Sequence, residues 1–397
     1  MAEQVTSLKT GIKYKDTPLG KIPVDWEVVR LGDICSISSG GASNYSKDVN
    51  EEPYPVYGSN GILGSYDEFN FSDGLVIGRV GASGSIQMIS SPIWASDNTL
   101  LLSITDKLAP KLFIYYYLQK CNLPGLATKT AQPLLTQQIL KAVLIAKPNI
   151  FEQEKIAEIL TTADEAIEKT VQIIEKTKEV KKGLMQKLLT RGIGHKKFKK
   201  TEIGEIPERW EVGKLSDIAH VIMGQSPPGN TYNIEGAGYP ILNGPTEFTD
   251  YSPTPIQFTT QPTKVCKAHD ILFCVRGSST GRMNIADQEY CIGRGLAAIR
   301  EKSVSDTRYI YYILASLTST IFAEASGAGS TFPNISREAL EDTKMAIPPL
   351  HEQKNIADIL SSIDEEIEKE SNHKEQLELL KKGLMQVLLT GKIRVKT

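Results

Sequence analysis

The sequence predicts an α+β protein built from two copies of one unit, each a mixed α/β domain that ends in a long helix. Three observations predict it. KKGLMQKLLT at 181–190 returns as KKGLMQVLLT at 381–390, and FEQEKIAEILTTADEAIEK at 151–169 returns as HEQKNIADILSSIDEEIEK at 351–369. TPLGKIPVDWEVVRLGDI at 17–34 is answered by TEIGEIPERWEVGKLSDI at 201–218. The first two pairs share one offset, to which Pro133/Pro333 and Pro148/Pro348 also conform, whereas Trp26 and Trp210 follow a shorter one. The copies, 17–194 and 201–394, thus share beginnings and ends and differ in the length of their middles.

The middles are rich in Gly, Ser, Pro, Asn and aromatic residues. Their short apolar runs, GLVIGRVG (74–81) and DILFCVRG (270–277), stop at turn signals and predict short strands with exposed loops. KLFIYYYLQK (111–120) and TRYIYYILASL (307–317) predict short helices between them. From Glu152 and Glu352 the text changes to Glu, Lys, Ile and Leu without proline, which predicts two long helices. The expected segments are a domain over 1–150, a long helix and linker over 151–195, a second domain over 196–350, and a second helix and tail over 351–397.

The spacing in the helices alternates four and three. Ile156, Leu160, Ala163, Ile167, Ile174, Leu184 and Leu188 fall on one frame, and Ile356, Leu360, Ile363, Ile367, Leu377, Leu384 and Leu388 on the corresponding one. That is a coiled-coil seam, and two such stripes in one chain can bury each other. The competing reading is two unrelated helices, each packed on its own domain. Thr170, Thr177, Lys181, Glu370, Lys374 and Lys381 interrupt the frame, weakening it and offering a means to set register. Gly183 and Gly383 each cost about 1 kcal/mol inside a helix. Close approach of two backbones, and a helix end or a kink before a last short turn, are both open as reasons.

Composition narrows the function. Of the 397 residues, 40% are hydrophobic and 23% charged, with a net charge of −2. No apolar run approaches the ~18 to 20 residues of a membrane span. The N-terminus lacks the apolar stretch of a secretory signal, and Cys35, Cys121, Cys266, Cys274 and Cys291 are scattered, so a cytoplasmic protein with core thiols is expected. The balance excludes a strongly basic nucleic-acid coat and leaves local basic patches. One is KEVKKGLMQKLLTRGIGHKKFKK (178–200), which suits phosphates, an acidic partner or a solvated face. GRVGASG (78–84) has the wrong spacing for a phosphate loop, and SPPG (226–229) lacks the acid and aromatic of an amino-methyltransferase box. His195, His220, His269, His351 and His373 form no local pair. No catalytic or metal site is expected.

Ile-Pro-x-x-Trp-Glu-Val-x-x-Leu-x-Asp-Ile opens each half, and Glu-Gln-x-x-Ile-Ala-x-Ile-Leu followed by Lys-Lys-Gly-Leu-Met-Gln closes it. In this doubled plan, everything beyond the first 16 residues resembles the specificity subunit of type I restriction-modification systems. The resemblance implies a non-catalytic, double-stranded-DNA-reading subunit with two target-recognition domains, one for each half of a split asymmetric sequence. They would be joined by the long helices as an antiparallel coiled coil. It further implies docking of two modification (methyltransferase) subunits, which carry S-adenosylmethionine and methylate adenine, and of restriction subunits through the complex. This chain itself would hold no cofactor.

Base reading needs hydrogen-bonding side chains on exposed loops. The first domain offers Tyr57, Ser59 and Asn60 in VYGSNGILG, Arg79 and Ser83 in GRVGASG, and Lys129, Thr130 and Gln132 in ATKTAQPLL. The second offers Asn243 in ILNGPTEF, Arg276, Ser278 and Arg282 in VRGSSTGRMN, Arg294 in CIGRG, and Ser330, Thr331 and Asn334 in GAGSTFPNI. The alternatives are structural: an Asn beside Gly also forms turns, and Arg79 or Arg276 can buttress its own loop. The other function class is an adaptor whose helices bridge two proteins while its middles bind peptide or glycan. Two different middles between near-identical ends favour the split DNA target.

Overall fold

The computed structural model of the chain describes residues 12–42, 53–128, 133–249, 252–325 and 334–395. The chain divides into two compact units, one of residues 1–171 with 372–397 and the other of residues 172–371. Both divisions fall inside long helices, Ile150–Arg191 and Leu350–Leu388. Each unit therefore holds one domain, the first half of the helix that follows it and the last half of the other helix.

In the first unit a four-stranded antiparallel sheet runs in the order Cys35–Ser39, Thr99–Ile104, Gly74–Gly78, Ile86–Ile89. The Gly74–Gly78 strand is buried throughout, which is why its text is continuously apolar rather than alternating. Its side chains still divide by the period of two. Leu75 and Ile77 join Phe113, Ile114 and Tyr117 of the helix Lys111–Lys120, while Val76 joins Ile93 and Ala95 beneath a small three-stranded sheet. The second unit repeats the arrangement with Ala219–Met223, Leu296–Glu301, Ile271–Cys274 and Met283–Ile285. Here Ile271 and Phe273 face the helix Thr307–Ala325, and Leu272 and Cys274 face the other way. The second sheet has five strands, so the differing lengths of the middles become a differing second layer.

The helices pair antiparallel within each unit. In the second unit Leu188 and Leu189 share a core with Ile356, Ala357 and Leu360, and seven residues back along the first helix Lys181 Nζ lies 2.5 Å from Asp364. In the first unit Leu388 and Leu389 share a core with Ile156, Ala157 and Leu160, and Lys381 Nζ lies 2.6 Å from Asp164. Tyr312 and Tyr116 donate to the same aspartates at 2.7 and 2.8 Å. Two of the lysines that interrupt the apolar frame, Lys181 and Lys381, thus set register through ion pairs. Ala163 and Ile174 are buried, and Ile167, Leu184, Ile363, Ile367, Leu377 and Leu384 are half-buried. The helices combine both sequence readings: their outer turns belong to the domain cores, and their inner turns carry the pairing.

Close approach of two backbones and a helix end are both ruled out for Gly183 and Gly383. The helices continue through both, to Arg191 and Leu388, and a Cβ on either glycine would meet nothing within 4 Å. The helix ends come later, at Gly192 (φ 63°) and Gly391 (φ 68°). These left-handed positions suit glycine, and a Cβ would lie 2.5 Å from Glu352 Oε1 at the first and 2.5 Å from Pro23 at the second.

Beyond those turns the chain locks onto a buried glutamate. Trp210 Nε1 donates to Glu352 at 2.9 Å, where the Ile193 N–H (3.1 Å) and His195 (2.7 Å) also converge. Burial works to raise the Glu352 pKa, but these donors outweigh it and hold the carboxyl below its ordinary value. In the first unit Trp26 Nε1 donates to Glu152 at 3.1 Å, and Arg394 takes the place of the histidine. The bonds to Glu152 and Asp25 push the guanidinium pKa up.

Candidate nucleic-acid interface

At one end of each central sheet the backbone forms the same frame. In the first unit the Gly40 N–H donates to Thr99 O, Gly41 to Ala95 O, Arg79 to Asn98 O, and Leu135 to Arg79 O, at 2.9 to 3.1 Å. In the second unit Gly224 donates to Leu296 O, Gln225 to Ile292 O, Val275 to Gly295 O, and Ile335 to Val275 O, at 2.8 to 2.9 Å. Close approach dictates the glycines: a Cβ on Gly40 would lie 2.0 Å from Ser96 O, and one on Gly224 would lie 2.2 Å from Gly293 O. A tight turn completes each frame, with Thr99 N–H donating to Ser96 O and Leu296 N–H to Gly293 O.

The frame collects the described candidates. In the first unit Ser85 donates to Ser59 O, fixing the turn of Ser59 and exposed Asn60 against the Arg79–Ser83 loop. Tyr57 is half-buried against the second layer of the core. In the second unit Asn243 follows the strand Tyr239–Leu242 and donates to Gln257 at 3.4 Å. Exposed Arg276 donates from Nε to Asn334 Oδ1 at 3.0 Å, so an amide rather than a carboxylate buttresses it. Ser278 and Arg282 are exposed nearby, with Arg282 reaching Phe248 O at 3.4 Å. Arg294 is exposed on its turn, its N–H bonded to Ser226 Oγ at 3.3 Å. Lys129, Thr130, Gln132, Ser330 and Thr331 lie outside the described residues.

Two features escape the sequence. Arg79 and Arg276 look equivalent as text, yet the hydrogen bonds place Arg79 opposite Val275, one residue earlier. Arg79 is half-buried with its Nε buried and unpartnered, as is Ser83 Oγ, whereas Arg276 stands out in solvent. Gln225 and Ser226 also belong to the frame. Their signal was the turn-forming text GQSPPG, informative as a loop at a strand end rather than as a failed catalytic box.

Among the described residues no three His, Cys, Asp or Glu side chains are placed to hold a metal ion. The cysteines are free, and burial pushes the Cys35 and Cys266 thiols up to about 12. No described helix is long and apolar enough to cross a membrane. Amides, hydroxyls and guanidinium groups on a rigid strand-end frame suit hydrogen bonding to base edges and phosphates.

Comparison with known proteins agrees with this chemistry. The family described as "type I restriction modification DNA specificity domain" matches residues 23–179 and again 207–379. The chain is 38% identical to the putative type I restriction enzyme MjaX specificity subunit of Methanocaldococcus jannaschii, over 97% of both chains. It is 30% identical to the MjaVIII specificity subunit of the same organism, over 95% of both. Its fold matches the crystal structure of the S subunit of a type I restriction-modification system from M. genitalium, with a TM-score of 0.63 at 17% identity, covering 96% of this chain and 97% of that one. With two matches that take in most of its length, the chain belongs to the type I restriction-modification DNA specificity family, as a specificity subunit and not a catalytic one.

Proposed function

We propose that the chain recognises a split, asymmetric DNA sequence, one half through each domain, and carries two modification subunits on its helices. The observation that supports this best is the repeated frame with unlike side chains: the same hydrogen bonds recur in both units, while the groups they present differ. An unchanged frame with changed donors and acceptors is what two different half-sequences require. The readers within it are Ser59, Asn60, Arg79, Ser83, Asn243, Arg276, Ser278, Arg282, Arg294 and Asn334, with Tyr57 in support. Lys129, Thr130, Gln132, Ser330 and Thr331 are proposed as further readers from their sequence alone.

Docking rests on repetition at exposed positions. Lys182, Gly183 and Gln186 recur as Lys382, Gly383 and Gln386, and all six are exposed. Seam packing asks for none of them, whereas two identical partners would meet the same residues twice. S-adenosylmethionine belongs to those partners, restriction subunits join through the assembly, and the complex works in the cytoplasm. The test is selection from a random duplex pool by the chain with and without its modification subunit. A two-part motif supports the reading, and a single contiguous motif or no enrichment contradicts it.

A further inference from the structure

Two neighbouring positions of the frame differ in kind between the units. Where the second unit has Gln225, the first has Gly41, since both N–H groups close the same bond. Where the second turn has Arg294, the first has Asp97, each following the residue whose carbonyl closes the turn. Gln225, Asp97 and Arg294 are all exposed. The backbone beneath Gln225 is held on both sides: its N–H bonds Ile292 O, its carbonyl accepts from Thr263, and Ser226 bonds the Arg294 N–H. So, among the described residues, the Gln225 amide and the Arg294 guanidinium are exposed without a hydrogen-bond or ion-pair partner, on backbones linked through Ser226.

We infer that Gln225 is a specificity-determining residue of the second domain, reading an adenine in the major groove beside a base contacted by Arg294. The inference rests on the DNA-recognition reading above and adds to it a residue and a base. A glutamine amide pairs bidentately with adenine N6 and N7, and an arginine with guanine O6 and N7. Gly41 gives the first domain no such group, and Asp97 is an acceptor that suits the cytosine amino group and opposes guanine.

The experiment uses the complex with its modification subunit and the duplex it selects from a random pool. Each adenine of the motif is replaced in turn by 7-deazaadenine, which lacks the N7 acceptor. The unaltered complex should lose about ten-fold in affinity at one adenine of one half-sequence, within the range of a bidentate base contact. Gln225→Ala should abolish that penalty while leaving those at other positions. Gln225→Glu should move the preference at the same position toward cytosine, a gain that a merely unfolded variant does not show. If the pattern of 7-deazaadenine penalties is the same in the unaltered and Gln225→Ala complexes, the assignment of Gln225 is overturned while DNA recognition stands. If the unaltered complex selects no motif, both fail.

Discussion

Arg394 grips Glu152 across 242 residues of chain, with Nε 2.5 Å from Oε1 and Nη2 2.6 Å from Oε2. Glu152 also receives the Trp26 indole, and its side chain is only 1% exposed. The tail that ends the chain is therefore part of the first unit's core, as the turn through His195 is part of the second's. Sequence repetition becomes structural exchange: each helix starts in one unit and finishes in the other.

Arg394→Ala should destabilise the first unit by about 3 kcal/mol, because it leaves a buried carboxylate without its cation. Denaturant unfolding measures the loss, and hydrogen exchange should place it around Trp26 and Glu152. His195→Ala should cost less, since the Ile193 N–H and Trp210 continue to hold Glu352.

Glu352 should impose acid sensitivity on the second unit. Its folded pKa lies below the unfolded value of about 4.5, so its stabilisation is present above that value and is lost as pH falls through the folded pKa. Glu352→Gln should be less stable at neutral pH and should flatten the dependence below about pH 4.5. Chemical unfolding across that window checks both.

Gly183→Ala and Gly383→Ala should each stabilise the isolated chain by about 1 kcal/mol, since the added methyl meets open space in a continuous helix. If this face receives the modification subunits, the same substitutions should weaken assembly, measured by titration with that subunit. Stabilisation with undiminished assembly would remove these glycines from the docking face.

Arg276→Ala should cost about 1 to 3 kcal/mol at one base pair of one half-sequence. Asn334→Ala should reproduce part of that loss by freeing the guanidinium. A loss spread evenly over all sequences, with a shallower salt dependence, would make Arg276 a phosphate contact instead.

Much of the architecture was legible because it is periodic or repeated. The seam from Ile156 to Leu188 shows the four-three spacing, and the change in composition at Glu152 and Glu352 falls two residues after the helix starts at Ile150 and Leu350. What periodicity cannot show is which partner each turn packs against: Leu389 and Ala157 lie off the seam yet are buried in the first core. The glycines misled because intrahelical glycine has no local signature of its cause. The candidate site was legible as loops, not as a register. Arg79 and Arg276 align as letters, but only backbone hydrogen bonds reveal Val275 as the counterpart of Arg79. Gln225 sits in a turn whose value comes from its neighbour across the sheet end.

The most direct test of one domain per half-sequence is the methylated motif of a complex in which residues 12–149 are exchanged for the corresponding domain of another specificity subunit. One half of the motif should change to that of the donor while the other half stays as it was. A folded, active exchange complex in which both halves change, or neither does, would contradict the account.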